Sequence, residues 1–365
     1  MTSAPVLPGI RTILAFAMNL LGDSICRLPA IKAAKDVYPG SRVIVVADPR
    51  YSEVFEGQPF IDEVWTTDRR GGKLKQFRAW LRLTGQARRA QPDLVLDLYG
   101  SKRTALLSRV SGARWRVGLQ AGGRSRWYNL RQVTQAAGRG LPEARARGVD
   151  QPRAQQHIIE RANAAVEPAG IGAEFRYVPL AVTEADRQTA RRALAEVGLD
   201  AREGLVLLNP SARVEAKRWP AERFAMVAAR LGRRCGVITA PGEEGLTAEL
   251  VAAAEGAAAP LPVLSIKQLA ALAQMARVIV TGDTGVLHVA TAMGTPSAMI
   301  AGPTDPRLVA HPGARQVVLF HRDACAEWRG GEECADYNGC AKRRCIDAIR
   351  VEEVVAALSG LLSER

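Results

Sequence analysis

The chain has 365 residues, of which 47% are apolar, 24% charged and only 5% aromatic. That length implies two domains of ordinary size, each burying its own core, and the balance excludes a disordered, fibrous or membrane-spanning protein. Fifty Lys and Arg against 37 Asp and Glu leave a net charge of +13, the balance of a protein that meets phosphates or an acidic surface. No apolar run approaches the roughly 18 residues that cross a bilayer. The start, MTSAPVLPGIRTILAFAM, lacks a charged segment followed by a long apolar one, so a cytoplasmic location is expected.

Along the chain, ILAFAM, SICRLPAIKAAKDVY, RVIVVA, YSEVFEG and DEVW alternate strand-type and helix-type patterns, the rhythm of βαβ units. A basic helical stretch from Gly72 to Ala90 follows. DLVLDLYG then reads as a strand buried on both faces of a parallel sheet, with the helix KRTALLSRV and the strand WRVGL after it. Between Ala136 and Gln156 periodicity is lost and Gly, Pro and Arg collect, which is linker chemistry. The rhythm restarts with GLVLLNP, PAERFAMVAARL, CGVITAP, a helix from Glu244 to Glu255, and the apolar segment LPVL. It continues through KQLAALAQM, RVIVTG, VLHVATAM and SAMIAG to a last amphipathic helix, VEEVVAALSGLL. The chain is α/β, with two doubly wound domains.

Ligands of open parallel sheets bind where strand carboxyl ends lead into helix amino termini, so those loops hold the candidate chemistry. After the first strand, in NLLGDSICRLPAI, Gly22 permits a tight turn, and Asp23 is either a helix cap, as is Ser24, or a general base. In NPSARVEAKRWPAERF, Lys217 and Arg213 precede the helix that Pro220 starts, an anion site or a pair of surface charges, and Trp219 suits a hydrophobic staple. After CGVITAP, Glu243 suits a ribose hydroxyl or a helix first turn. In IVTGDTGVLHVATAMGTPSAMIAGPTDP, the capping residues Asp283 and Thr284 and the small Gly285 open a helix that favours a diphosphate, and His288 lies one turn on. No nucleotide P-loop and no dinucleotide fingerprint follows any strand.

GDSICRLPAIKAAKDVYPGSRV, LVLDLYGSKRTALLSRVSGARWRVGL, NPSARVEAKRWPAERFA and TGDTGVLHVATAMGTPSAMIAGPTDP occur in an order that resembles the ADP-heptose:lipopolysaccharide heptosyltransferases, glycosyltransferase family nine. The resemblance runs from about Ile13 to Pro306. It implies a GT-B architecture of two Rossmann-like domains facing across a cleft and closing on the donor. The acceptor domain would span residues 1–175 and the donor domain 176–349, with helix 350–365 packing back on the first. Asp23 falls on the family's proposed catalytic base and Lys217 on its phosphate-holding Lys, with Arg213 beside it. Glu243 falls on the ribose-binding acid, Leu264 on an adenine contact, and Asp283, Thr284, Gly285 and His288 on the sugar- and diphosphate-binding block. Ser211 stands where the family has Gly before Ala. Gly22, Ser101, Lys102 and Arg103 fall on the acceptor side.

The expected reaction is an inverting transfer of heptose from ADP-heptose to an acceptor hydroxyl in lipopolysaccharide core assembly, with no cofactor and no Asp-x-Asp metal motif. A protein or small-glycoside heptosyltransferase, a nucleotide-sugar epimerase on the same architecture, and an inactive nucleotide-binding subunit are the alternatives. Arg69, Arg70, Lys73, Lys75, Arg78 and Arg82, with Arg124 and Arg126, form either a solvated face or a landing surface for an anionic glycolipid at the inner membrane. Nucleic acid does not fit a chain with no recognition motif and few aromatics. Cys325, Cys334, Cys340 and Cys345, in the loop 325–345, are either small buried hydrophobes or ligands of a structural Zn or Fe.

Overall fold

The computed structural model describes residues 6–67, 70–119, 126–130, 156–325, 340 and 342–363. It comprises two compact units, Met1–Ala181 and Val182–Arg365. In the first, β1 (Thr12–Ala17), β2 (Arg42–Ala47), β3 (Glu63–Thr66), β4 (Leu94–Asp97) and β5 (Trp115–Gly118) form one parallel sheet in the order β3-β2-β1-β4-β5. The central strands are apolar along their whole length because helices cover both faces. Those helices are α1 (Leu21–Ile25), α2 (Leu28–Val37), α3 (Lys73–Ala90), α4 (Lys102–Val110) and α5 (Ile158–Val166).

The stretch SICRLPAIKAAKDVY reads as one helix but folds as two. Pro29, in the first turn of α2, cannot donate to a preceding carbonyl, so it starts a helix rather than continuing one. Leu14, Phe16, Ile44, Val46 and Val95 of the sheet pack with Leu83 and Ala87 of α3 and Leu107 of α4.

The second unit holds β6 (Val206–Asn209), β7 (Cys235–Val237), β8 (Ala258–Pro260), β9 (Val278–Gly282), β10 (Ser297–Ala301) and β11 (Gln316–Phe320), parallel in the order β11-β10-β9-β6-β7-β8. Its helices are α6 (Glu184–Glu196), α7 (Ala221–Arg230), α8 (Glu244–Ala253), α9 (Ile266–Met275), α10 (Gly285–Ala292), α11 (Arg344–Asp347) and α12 (Val351–Ser363). Strand order reverses between β1 and β4 in one unit and between β6 and β9 in the other. Outside the carboxyl ends of those pairs a doubly wound sheet leaves its binding crevice.

Packing settles the role of Trp219. Trp219, one residue before the Pro220 N-cap of α7, meets Phe224 at 5.0 Å between ring centroids and donates its indole N–H to the Ile349 carbonyl. That is the hydrophobic staple. The last helix, α12, packs within the second unit. Val351, Val354, Leu358 and Leu361 join the core of the second unit with Val206, Phe224, Val280 and Ile300. The apolar stripe of α12 finds its partner on α7 and the sheet beside it. Among the described residues no helix is long and apolar enough to cross a membrane.

Candidate active site

β6 and β9 are paired with Asn209 opposite Thr281, so the loops that follow them leave the sheet side by side. Asn209 fixes the two together. Its Nδ2 donates to Thr281 Oγ1 at 2.8 Å, Thr284 Oγ1 at 3.1 Å and the Ser211 carbonyl at 3.4 Å. Thr284 is the N-cap of α10, in extended conformation, and its side chain makes no capping bond. The first amides of that helix, which have no intrahelical acceptor, together with its dipole, suit an anion.

On the facing loop, Lys217 ends a short 3-10 turn and its Nζ lies 2.5 Å from Asp283 Oδ2; the two side chains are only 12% and 8% exposed. Gly282 permits this approach, since a Cβ there would come within 3.3 Å of the Lys217 carbonyl. Arg218, the next residue, donates to the Ala212 carbonyl and pairs with Glu243, which binds the loop after β7 to the same cluster. Asn209 Oδ1, Ser211 Oγ and Glu243 Oε2 are buried and have no hydrogen-bond partner among the described residues. Buried polar atoms in this position are satisfied by a polar ligand or water.

The structure thus brings Ser211, Lys217, Asp283 and Thr284 together, with Gly285 opening α10 and Glu243 joined through Arg218. His288 is buried one turn into α10, Arg213 is exposed on its loop, and Leu264 is half-buried beyond β8. The sequence reading did not single out Asn209, Thr281 or Arg218. The readable sign was a polar residue closing each of two apolar strands.

In the first unit Asp23 is not a cap. The N-cap of α1 is Leu20, and Asp23 is the third helical residue, 30% exposed and 3.8 Å from the guanidinium of Arg27. Ser24 does not cap either, because its hydroxyl donates back to the Asn19 carbonyl. Arg27 is buried and anchored by a 3.0 Å bond from Nη1 to the Ile158 carbonyl, so it holds one side of the carboxylate in place. Burial pushes the Arg27 pKa down, and Asp23 opposes that.

A pocket of about 370 Å³ lies at the carboxyl ends of β1, β3 and β4, bounded by Met18, Thr67, Trp80, Tyr99, Lys102 and Arg103. Ser101 also borders it, but its side chain is spent as the N-cap of α4: it accepts from the Thr104 amide while Thr104 Oγ1 accepts from the Ser101 amide. Lys102 and Arg103 are exposed on the first turn. Gly22 and Asp23 do not line this pocket.

Asp97, which closes β4, was not read as a site residue. It is fully buried, accepts from the Gly100 amide at 2.8 Å, the Tyr99 amide at 3.2 Å and the Tyr128 hydroxyl at 2.9 Å, and so shapes the loop that borders the pocket. Gly118 makes room, since a Cβ there would meet Tyr128 and Asp97 at 2.7 and 2.9 Å. Burial pushes the Asp97 pKa up from 3.8 to about 6 despite those hydrogen bonds. The folded chain therefore holds this proton more tightly than the unfolded chain. The contribution of Asp97 to stability is full below about pH 4 and is lost as pH rises through about 6. Compared with Asp97→Asn, the wild type should lose about 3 kcal/mol from well below pH 4 to well above pH 6, as read by chemical denaturation at each pH. Parallel curves for the two proteins would refute it.

Among the described residues no three His, Cys, Asp or Glu side chains form a metal-binding group. Cys325 and Cys345 are buried, and burial, with Cys325 and Cys340 nearby, pushes the Cys345 thiol up to about 11. Cys334, Arg69 and Arg124 lie outside the described residues.

Residues 80–334 match the model of glycosyltransferase family 9 (heptosyltransferase). Lipopolysaccharide heptosyltransferase 1 of Pseudomonas aeruginosa is 28% identical over 335 residues, covering 86% of this chain and 85% of that one. A glycosyl transferase family 9 structure from Veillonella parvula matches with a TM-score of 0.77 at 22% identity, over 97% of this chain and 98% of that one. The E. coli ADP-heptose lipopolysaccharide heptosyltransferase II structure matches at 0.73 and 19%, over 96% and 98% of the two chains. These likenesses show the GT-B fold. With the family model spanning most of its length, the chain belongs to glycosyltransferase family 9, the heptosyltransferase family, and is a glycosyltransferase.

Proposed function

We propose that the protein transfers heptose from ADP-heptose to a hydroxyl of an anionic lipopolysaccharide-core acceptor, inverting the anomeric centre in one displacement. The observation that carries this reading is the cluster at the carboxyl ends of β6 and β9, where Asn209 ties Thr281 to Thr284 at the amino terminus of α10 and Lys217 pairs with the adjacent Asp283. A nucleoside diphosphate presents there the charge that a lysine and a helix amino terminus suit. As the glycosidic bond to ADP breaks, negative charge grows on the β-phosphate oxygen. Fixed donors aimed at that oxygen are worth roughly 3 kcal/mol each, and they supply this without a required cofactor. Glu243 takes ribose hydroxyls and Asp283 the heptose.

On the acceptor side Asp23 removes the hydroxyl proton as that oxygen attacks the oxocarbenium-like carbon, opposite the departing ADP. The pocket bordered by Lys102 and Arg103 supports an acceptor that carries phosphate or carboxylate. The name of the E. coli neighbour, an ADP-heptose enzyme, supports the donor, and the name of the Pseudomonas relative supports the lipopolysaccharide acceptor.

The test is ADP release from ADP-heptose with and without core glycolipid, together with the mass of the product. Release that depends on glycolipid, and a product heavier by one heptosyl unit, is expected. A rearranged sugar nucleotide with no ADP released would favour the epimerase reading. Transfer to a protein or a small glycoside alone would move the assignment to those acceptors.

A further inference from the structure

Helix α3, KLKQFRAWLRLTGQARRA, has six basic residues and no acidic one. It packs on the first unit through Leu83 and Ala87. The opposite face carries Leu74, Phe77 and Leu81, which are 62%, 54% and 48% exposed. Eight large apolar side chains are exposed among the described residues, and this one face holds three of them. Positions 74, 77, 78, 81 and 82 follow the spacing of one helical stripe, so Arg78 and Arg82 interleave with the three apolar groups. A groove of about 520 Å³ flanks the stripe, bordered by Lys75, Arg78 and Arg82.

From this we infer that α3 docks the protein on the surface of an anionic phospholipid bilayer, with Leu74, Phe77 and Leu81 entering the headgroup boundary and the arginines meeting lipid phosphates. A helix that binds in the plane of a membrane needs both features on one face. A second copy of this chain fits poorly, because two such faces would oppose arginine with arginine. Nucleic acid would satisfy the arginines but leave the two leucines without an apolar partner.

The test is co-sedimentation of the full chain, without sugar nucleotide or acceptor, with phosphatidylcholine vesicles containing about one-third phosphatidylglycerol or none. The wild type should bind only the anionic vesicles, and salt near 1 M should weaken that binding by shortening the screening length. Arg78→Gln with Arg82→Gln should lower the vesicle partition coefficient about 30-fold, and Phe77→Ser with Leu81→Ser about tenfold or more. All four positions are exposed, so the melting temperatures should stay close to wild type; Leu74→Ser alone is the milder check should a double variant fail to fold. Equal partition of wild type and variants, or no binding of the wild type, would overturn the inference. So would a wild-type dimer that the same substitutions convert to monomer while vesicle binding is absent, or release from vesicles by a single-stranded RNA of similar affinity. ADP affinity measured on the same samples keeps this outcome separate from the fate of the proposed reaction.

Discussion

Asp23→Asn should lower turnover by about 100-fold or more, the range for loss of a general base, while ADP affinity and the fold survive. The substitution keeps the shape of the side chain but removes its capacity to accept a proton. Because Asp23 caps nothing, no helix terminus is lost with it. The charge it loses is the one facing Arg27 at 3.8 Å, and Arg27 keeps its bond to the Ile158 carbonyl, so only a small drop in melting temperature should accompany the kinetic effect. Asp23→Glu retains a carboxylate but shifts it by one methylene, and it should fall between wild type and Asp23→Asn. Calorimetry with ADP reads the donor side, and acceptor-dependent ADP release reads the chemistry. Near-native turnover in Asp23→Asn would remove Asp23 from the role of base.

The physical reason some of this was legible in the sequence, and some was not, differs from element to element. Strands such as TILAFA, RVIVVA and VIVTG are buried on both faces, so each reads as an unbroken apolar run. β11 is only partly buried and β8 is three residues long, and neither stands out from the pattern of its neighbours. Helix α6 buries only Ala190, Ala193 and Leu194, too little apolar surface for a clear stripe; the Thr183–Asp186 capping box ahead of it was the better sign.

The same division holds at the site. Lys217, Asp283 and Thr284 stand in loops after strands, where position alone raises a functional reading. The work of Asn209 and Asp97 depends on partners distant along the chain. Asn209 reaches Thr284, 75 positions on, and Asp97 is met by Tyr128, 31 positions on. A local pattern shows an Asn that ends a strand and an Asp inside an apolar run. Only the register of β6 against β9, and the packing of Gly118 under Tyr128, gives those residues their roles.

Lys217→Ala should weaken ADP binding by about 10- to 100-fold, the worth of one hydrogen bond to a charged group, and should lower transfer by at least as much, because the phosphate charge is present in both ground and transition states. It should also destabilise the second unit by about 3 kcal/mol, since it strands Asp283, only 8% exposed, without its counter-charge. The two effects separate in a cycle. Adding Asp283→Asn to Lys217→Ala removes the unpaired carboxylate and should restore most of the lost stability, but not the affinity for ADP. Asp283→Asn alone leaves Lys217 undivided between a carboxylate and a phosphate, so ADP should bind at least as tightly as to wild type, while heptose transfer falls if Asp283 holds the sugar. Calorimetric titration with ADP across the four proteins, set against their unfolding curves, resolves each arm. If Lys217→Ala binds ADP as wild type does and loses only stability, the Lys217–Asp283 pair is a structural tie, and the diphosphate must be held by α10 and its neighbours without it.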